Sequence, residues 1–173
     1  MLIRMRLGVI ADIHGNEVAL RAILEDAEQM AVDRWWALGD LVLFGPRPVE
    51  VLDLLSALPG IEPEISEERL GDLLAGCDAD LVIGGHTHWI TDRFVGGVRT
   101  LNPGSAGLPD PPGATGWLLI EDDGHGPVVT QRTVPFDAGV VIDDLQERHH
   151  PNTDFTASIL SGRRRRADKR VGS

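Results

Sequence analysis

Gly84-Gly85-His86-Thr87-His88, preceded by the apolar run Asp80-Leu81-Val82-Ile83, is the stretch on which the reading of this chain turns. The apolar run predicts a short buried strand, and two histidines follow at its end. On a strand, residues i and i+2 project to the same side, so His86 and His88 are expected to point together. Paired imidazoles beside glycines form half of a transition-metal site. The other half requires carboxylates from elsewhere in the chain.

Two further strand ends supply them. Leu2 to Ala11 reads as a strand and runs into Asp12-Ile13-His14-Gly15-Asn16, where Asp12 and His14 again stand at i, i+2. Arg34 to Leu38 reads as a strand ending in Gly39-Asp40-Leu41-Val42. Each fragment has a plainer reading: Asp12 as a helix cap, His14 as a surface histidine, Gly-Asp as an ordinary turn. Apolar residues at helical spacing predict helices over Glu17–Met30 and Val49–Leu58, the latter with Leu52, Leu55 and Leu58 on one side. Ser66-Glu67-Glu68-Arg69 reads as a third helix start. Beyond the paired histidines, Thr91 to Asn102 reads as a hairpin turning at Gly96-Gly97. Two more strands, Gly116–Glu121 and Pro127–Pro135, and a helix over Ala138–Arg148 complete the order.

Alternation of strands and helices, followed by a meander, predicts a mixed α/β sandwich with helices outside. Ligands bind beyond the carboxyl ends of such strands. Asp12, His14, Asp40, His86 and His88 all fall there, and this convergence favours metal binding over coincidence.

Composition narrows the class. The chain has 173 residues, enough for one domain with a real core, and a single cysteine, Cys77, which excludes an internal disulfide framework. No apolar stretch suits a membrane span, and the N-terminus lacks a signal-peptide pattern, so a cytoplasmic location is expected. The net charge is −11; the run Arg163 to Arg170 carries +5, leaving −16 on residues 1–162. So acidic a body is a poor surface for nucleic acid or anionic lipid. Trp35, Trp36, Trp89 and Trp117 read as core or sheet-face aromatics rather than a base-stacking platform. The domain is expected to span 1–162 and the basic tail 163–173.

Asp-Ile-His-Gly-Asn, Gly-Asp-Leu-Val, Gly-Gly-His-Thr-His and Asn102-Pro103-Gly104-Ser105, in this order, resemble the calcineurin-like metallophosphoesterases, and among them the small bacterial phosphodiesterase branch. The resemblance implies a four-layer α/β/β/α sandwich with two metals and hydrolysis of phosphate esters, diesters before monoesters, by a metal-held hydroxide. It implies Asp12, His14 and His88 on the first metal, Asp40 bridging both, and His86 on the second. Asn16 and Asn102 would lie nearby in supporting or substrate-binding roles. Mixed imidazole and carboxylate ligation suits Mn, Fe, Zn or Ni. The family's Asn and His motifs between Gly-Asp and the paired histidines are missing, as if two strands were lost near Pro59-Gly60. A complete first site and an incomplete second are therefore expected. The competing expectations are a catalytically weak metal-binding module, or an internally shortened enzyme that folds poorly.

Overall fold

The computed structural model describes residues 5–59, 81–95 and 98–163. Seven strands and four helices follow in the order β1 (Met5–Ala11), α1 (Glu17–Glu28), β2 (Arg34–Leu38), α2 (Pro48–Ser56), β3 (Leu81–Ile83), β4 (Thr91–Val95), β5 (Val98–Asn102), β6 (Ala114–Asp122), β7 (Val128–Pro135), α3 (Ala138–Glu147) and α4 (Thr153–Leu160). They build two mixed sheets, ordered β2-β1-β6-β7 and β3-β5-β4. In the first, β1 runs parallel to β2 and antiparallel to β6. In the second, β5 runs parallel to β3 and antiparallel to β4.

Strand alternation divides the core. Leu7 and Val9 of β1, with Leu118 and Ile120 of β6, face Leu101 of β5, and together they form the dry layer between the sheets. Ile10, Trp117 and Leu119 point the other way, onto Leu20 and Ile23 of α1 and Val51 and Leu55 of α2. Having both faces of β1 and β6 covered explains why each reads as a nearly continuous apolar run. A third cluster, Leu108, Val141, Leu145 and Leu160, joins α3 and α4 to the loop after β5. Helices over one face of the first sheet and the second sheet against its other face make an α/β sandwich. The described residues supply three of its layers; the helix read over 66–77, and the shortened stretch beyond Pro59, lie outside them.

Several readings shift in detail. Both early helices end two residues before their predicted limits, at Glu28 and Ser56. On α2, Val51 and Leu55 are buried while Leu52 is 47% exposed, because the inward face follows an i, i+4 row rather than i, i+3. Trp35 and Trp117 are core residues whose rings pack 5.6 Å apart, whereas Trp36 and Trp89 are about two-fifths exposed at 39% and 43%. Helix α4 lies where the sequence reading placed only a connection to the tail.

Candidate metal centre

The site begins where β1 and β2 end. The parallel pairing of these strands continues past them: the amides of His14 and Gly15 donate to the carbonyls of Asp40 and Leu41, both at 2.8 Å. This ladder places Asp12, His14 and Asp40 side by side at the carboxyl edge of the sheet. On the other flank, the amides of Ala106 and Gly107 donate to the carbonyls of Ala11 and Asp12 at 2.9 and 3.0 Å, and the Ser105 hydroxyl donates to the Asp12 carbonyl at 2.8 Å. The turn after β1 is thereby held from both sides.

The clamp is sterically tight. A Cβ on Gly107 would stand 1.8 Å from the Ile13 carbonyl oxygen, and one on Gly45 would stand 2.2 Å from that of His14. Only glycine admits such an approach. Phe44, itself at a φ of 77°, lays its ring 5.3 Å from that of His14 and 5.3 Å from that of Phe155 in α4. Ser105, Gly107, Gly45 and Phe44 are site-building residues that the sequence reading passed over. The signals available were Gly45 shortly after Asp40, and Gly104, Ser105 and Gly107 in the turn after Asn102.

Asp12, His14, Asp40 and His88 each present a ligand atom within 4.8 Å of all the others. Asp12, His14 and His88 are buried, at 1%, 2% and 4% exposure. The two imidazoles meet Nε2 to Nε2 at 3.0 Å. The main-chain N–H of His86 is shared between both oxygens of the Asp12 carboxylate, at 2.9 and 2.8 Å. Two carboxylates and two imidazoles gathered this closely form a donor set that suits a divalent transition metal, because a cation offsets the cost of burying Asp12 and the charge of the exposed Asp40 beside it.

His86 departs from the strand argument. β3 ends at Ile83, so both histidines of the motif lie in the following loop and do not alternate on a pleat. His88 turns inward, while the His86 side chain is 93% exposed, its Nδ1 3.6 Å from Asp40 Oδ2. It stands outside the four-residue cluster, on the Asp40 side.

Backbone geometry unites all five residues. Among the described residues, eight non-glycine residues have positive φ, and five of them are Asp12 (54°), His14 (55°), Asp40 (47°), His86 (67°) and His88 (61°). Asp and His tolerate this region better than most residues, yet it costs roughly 1–3 kcal/mol each. The i, i+2 spacing that suggested strand pleating is instead a repeated left-handed turn, which brings Asp12 and His14 into the corner together but sends His88 inward and His86 out to solvent.

Asn16 and Asn102 work in the scaffold around this corner. Asn16 caps α1, accepting from the Ala19 amide at 3.0 Å, and its amide group donates to the Gly107 carbonyl at 2.8 Å. Asn102 donates to the Gly85 carbonyl and the Thr87 hydroxyl, at 2.9 and 3.0 Å, and accepts from the Gly104 amide at 2.8 Å. It thus ties the loop of the paired histidines to the end of β5. Among the other histidines, His125 sits in the exposed turn before β7, and His149 and His150 follow α3; none belongs to the cluster. Glu62, Glu64 and Cys77 lie outside the described residues.

The chain matches no family model. It is 35% identical to an uncharacterized protein of Methanocaldococcus jannaschii over 57 residues, which are 33% of this chain and only 24% of that protein's length. Its fold is similar to that of a metallophosphoesterase from Sphaerobacter thermophilus, at TM-score 0.69 and 21% identity, covering 91% of this chain and 99% of that one. A hypothetical protein of Pyrococcus horikoshii OT3 superposes at TM-score 0.71 and 17% identity, over 90% and 97% of the two chains. A zinc-complexed Vps29 of Entamoeba histolytica matches at TM-score 0.50 and 21% identity, over 77% and 100%.

Proposed function

From a chain with the metallophosphoesterase fold and an Asp–His–Asp–His corner in which all but Asp40 are buried, we propose a metal-dependent phosphoesterase that prefers diesters to monoesters. The observation that carries this reading is the convergence of Asp12, His14, Asp40 and His88 within 4.8 Å at the carboxyl edge of the sheets. A divalent cation held there would supply Lewis acidity toward a phosphoryl oxygen and acidify a water at neutral pH. The solved Vps29 complexed with zinc supports a cation of this kind.

The chain's own groups have distinct parts. Asp12, His14 and His88, all buried, form the dry wall of the site and hold the cation. Asp40 is more open, and its carboxylate, with the exposed His86 beside it, forms the solvent-facing lip where an ester approaches. The His86 amide orients the Asp12 carboxylate. Asn16 and Asn102 fix the two loops that carry these residues, and the exposed His86 side chain stands outside the cluster on the side of Asp40.

Charge favours the diester. A phosphomonoester approaches two negative charges near pH 7, whereas a diester carries one. Arg47, whose amide donates to the Gly15 carbonyl of the site loop at 3.0 Å, turns its guanidinium away onto Asp144 and Glu50. It is not aimed at a second phosphate charge. The test is turnover of bis(p-nitrophenyl) phosphate and of p-nitrophenyl phosphate with added Mn, Zn, Fe or Ni. Faster cleavage of the diester, abolished in both Asp12→Ala and His88→Ala, is the expected result. Tight metal binding without turnover of either ester would overturn the enzyme reading in favour of a metal-binding module.

A further inference from the structure

A second feature lies on the same edge of the sandwich and shares His88. A pocket of about 50 Å³ opens between the loop after His88, the Pro103–Ser105 turn, the Pro109–Pro111 loop and the start of β6. The register of β1 with β6 pairs Val9 with Leu118, so Gly116 lies level with the end of β1 and Ala114 and Thr115 extend beyond it, to the side where Asp12 and His14 lie. Thr133 faces Gly116 across the β6–β7 ladder and forms the outer rim.

The walls are apolar in character. Ile90, Pro103, Pro109, Pro111 and Ala114 are among the lining residues. The polar groups among them are already committed: the Ser105 hydroxyl donates to the Asp12 carbonyl, the Thr115 hydroxyl to the Ala106 carbonyl at 2.8 Å, and the Pro103 carbonyl accepts from Gln131 at 3.2 Å. No lysine or arginine lines it, and apart from His88 its one ionisable residue is Asp110. Such a pocket rejects a second phosphate or a carboxylate and accepts an uncharged apolar group. Its size limits that group, since an apolar cavity of about 150 Å³ holds a benzene ring.

Resting on the phosphoesterase reading for the chemistry at His88, we infer that this pocket is the subsite for the short aliphatic arm of a phosphodiester, of about two or three carbons. It selects the substrate by the alkyl group next to the phosphate and not by a second charge. Burying one further methylene is worth about four-fold in affinity.

The experiment is NMR titration of the zinc-loaded protein with dimethyl phosphate and diethyl phosphate. Diethyl phosphate should bind about four-fold more tightly, from one additional buried methylene, and should shift the methyl signals of Ile90 and Ala114. Filling the pocket by Ala114→Leu, or independently by the exposed-rim change Thr133→Leu, should bring the two affinities together while leaving dimethyl phosphate unaffected. Equal binding of both esters in the unaltered protein, or a preference that survives both variants, overturns the inference. Turnover of p-nitrophenyl ethyl phosphate is read separately. Selective binding without turnover counts against the phosphoesterase reading and leaves the pocket assignment standing.

Discussion

At the residue scale, the site is made by backbone that most side chains avoid. Five of the chemically important residues occupy left-handed turns, and glycines press against those turns from both sides. The residue types could be read from the sequence, because Asp and His recur at i, i+2 after apolar runs. The conformation could not, because the same spacing serves a pleated strand and a tight turn equally well. That is why His86 and His88 were expected to point together, whereas one is exposed and the other buried. The close approach of Gly107 makes a direct prediction. Gly107→Ala places a methyl group inside the contact distance of the Ile13 carbonyl, so the loop must shift. Metal affinity should fall ten-fold or more, with a loss of about 1–3 kcal/mol in stability. Isothermal titration with zinc and thermal unfolding measure the two effects, and unchanged affinity would show that the loop is not the determinant.

At the element scale, carboxylates on the helices tie them to distant parts of the chain. Asp26 near the end of α1 accepts from Arg132 Nε and Nη2 on β7 at 2.7 and 2.6 Å, and from the Trp117 indole on β6 at 3.0 Å. Asp144 on α3 accepts from Arg47 Nη2, ahead of α2, at 3.1 Å and from Arg148 at 2.8 Å. The hydrogen bonds from Arg132 hold the Asp26 carboxyl below its ordinary range, and those from Arg47 do the same for Asp144. Because each folded-state value is depressed, the stabilisation is complete above the unfolded value of about 3.9 and is lost as pH falls through the folded value. Stability should therefore drop below about pH 4. Asp26→Asn should lower Tm by roughly 4–8 °C at pH 7, for a loss of about 2 kcal/mol, and should flatten the acid limb. An acid limb as steep as that of the parent protein would contradict the assignment. These ties join residues about a hundred positions apart, and no local pattern announces them. Helix α4 was missed for a related reason. Its eight residues follow Pro151, and Phe155, Ile159 and Leu160 form too short a stripe to stand out by periodicity, yet they pack into the cluster beside Phe44.

At the scale of the whole molecule, alternation of strands and helices was sufficient to anticipate a mixed sandwich with Asp12, His14, Asp40 and His88 on one edge. Sheet order was not legible, because β1 pairs with β2 and also with β6, more than a hundred residues later. Within the described residues no helix is long and apolar enough to cross a membrane. The last described contacts run through α4 and Gly162, whose left-handed φ of 71° ends that helix against Pro112. Removing Arg164 to Ser173 should accordingly leave metal binding and Tm unchanged in calorimetry. A fall in either would move the domain boundary into the basic segment, which lies outside the described residues.

Among the described residues, Asp12, His14, Asp40 and His88 form one candidate metal site, and only His86 stands beside Asp40 on its outer side. A catalytic metal commonly keeps about three protein ligands, a number that the four-residue corner reaches and the pair Asp40 and His86 does not. The most direct measurement is the metal content of the purified chain after equilibration with excess manganese or zinc and gel filtration, read by inductively coupled plasma mass spectrometry. One tightly held ion per chain, lost in Asp12→Ala and in His88→Ala and retained in His86→Ala, is the predicted result. No bound ion, or two ions per chain of which one disappears in His86→Ala, would contradict it.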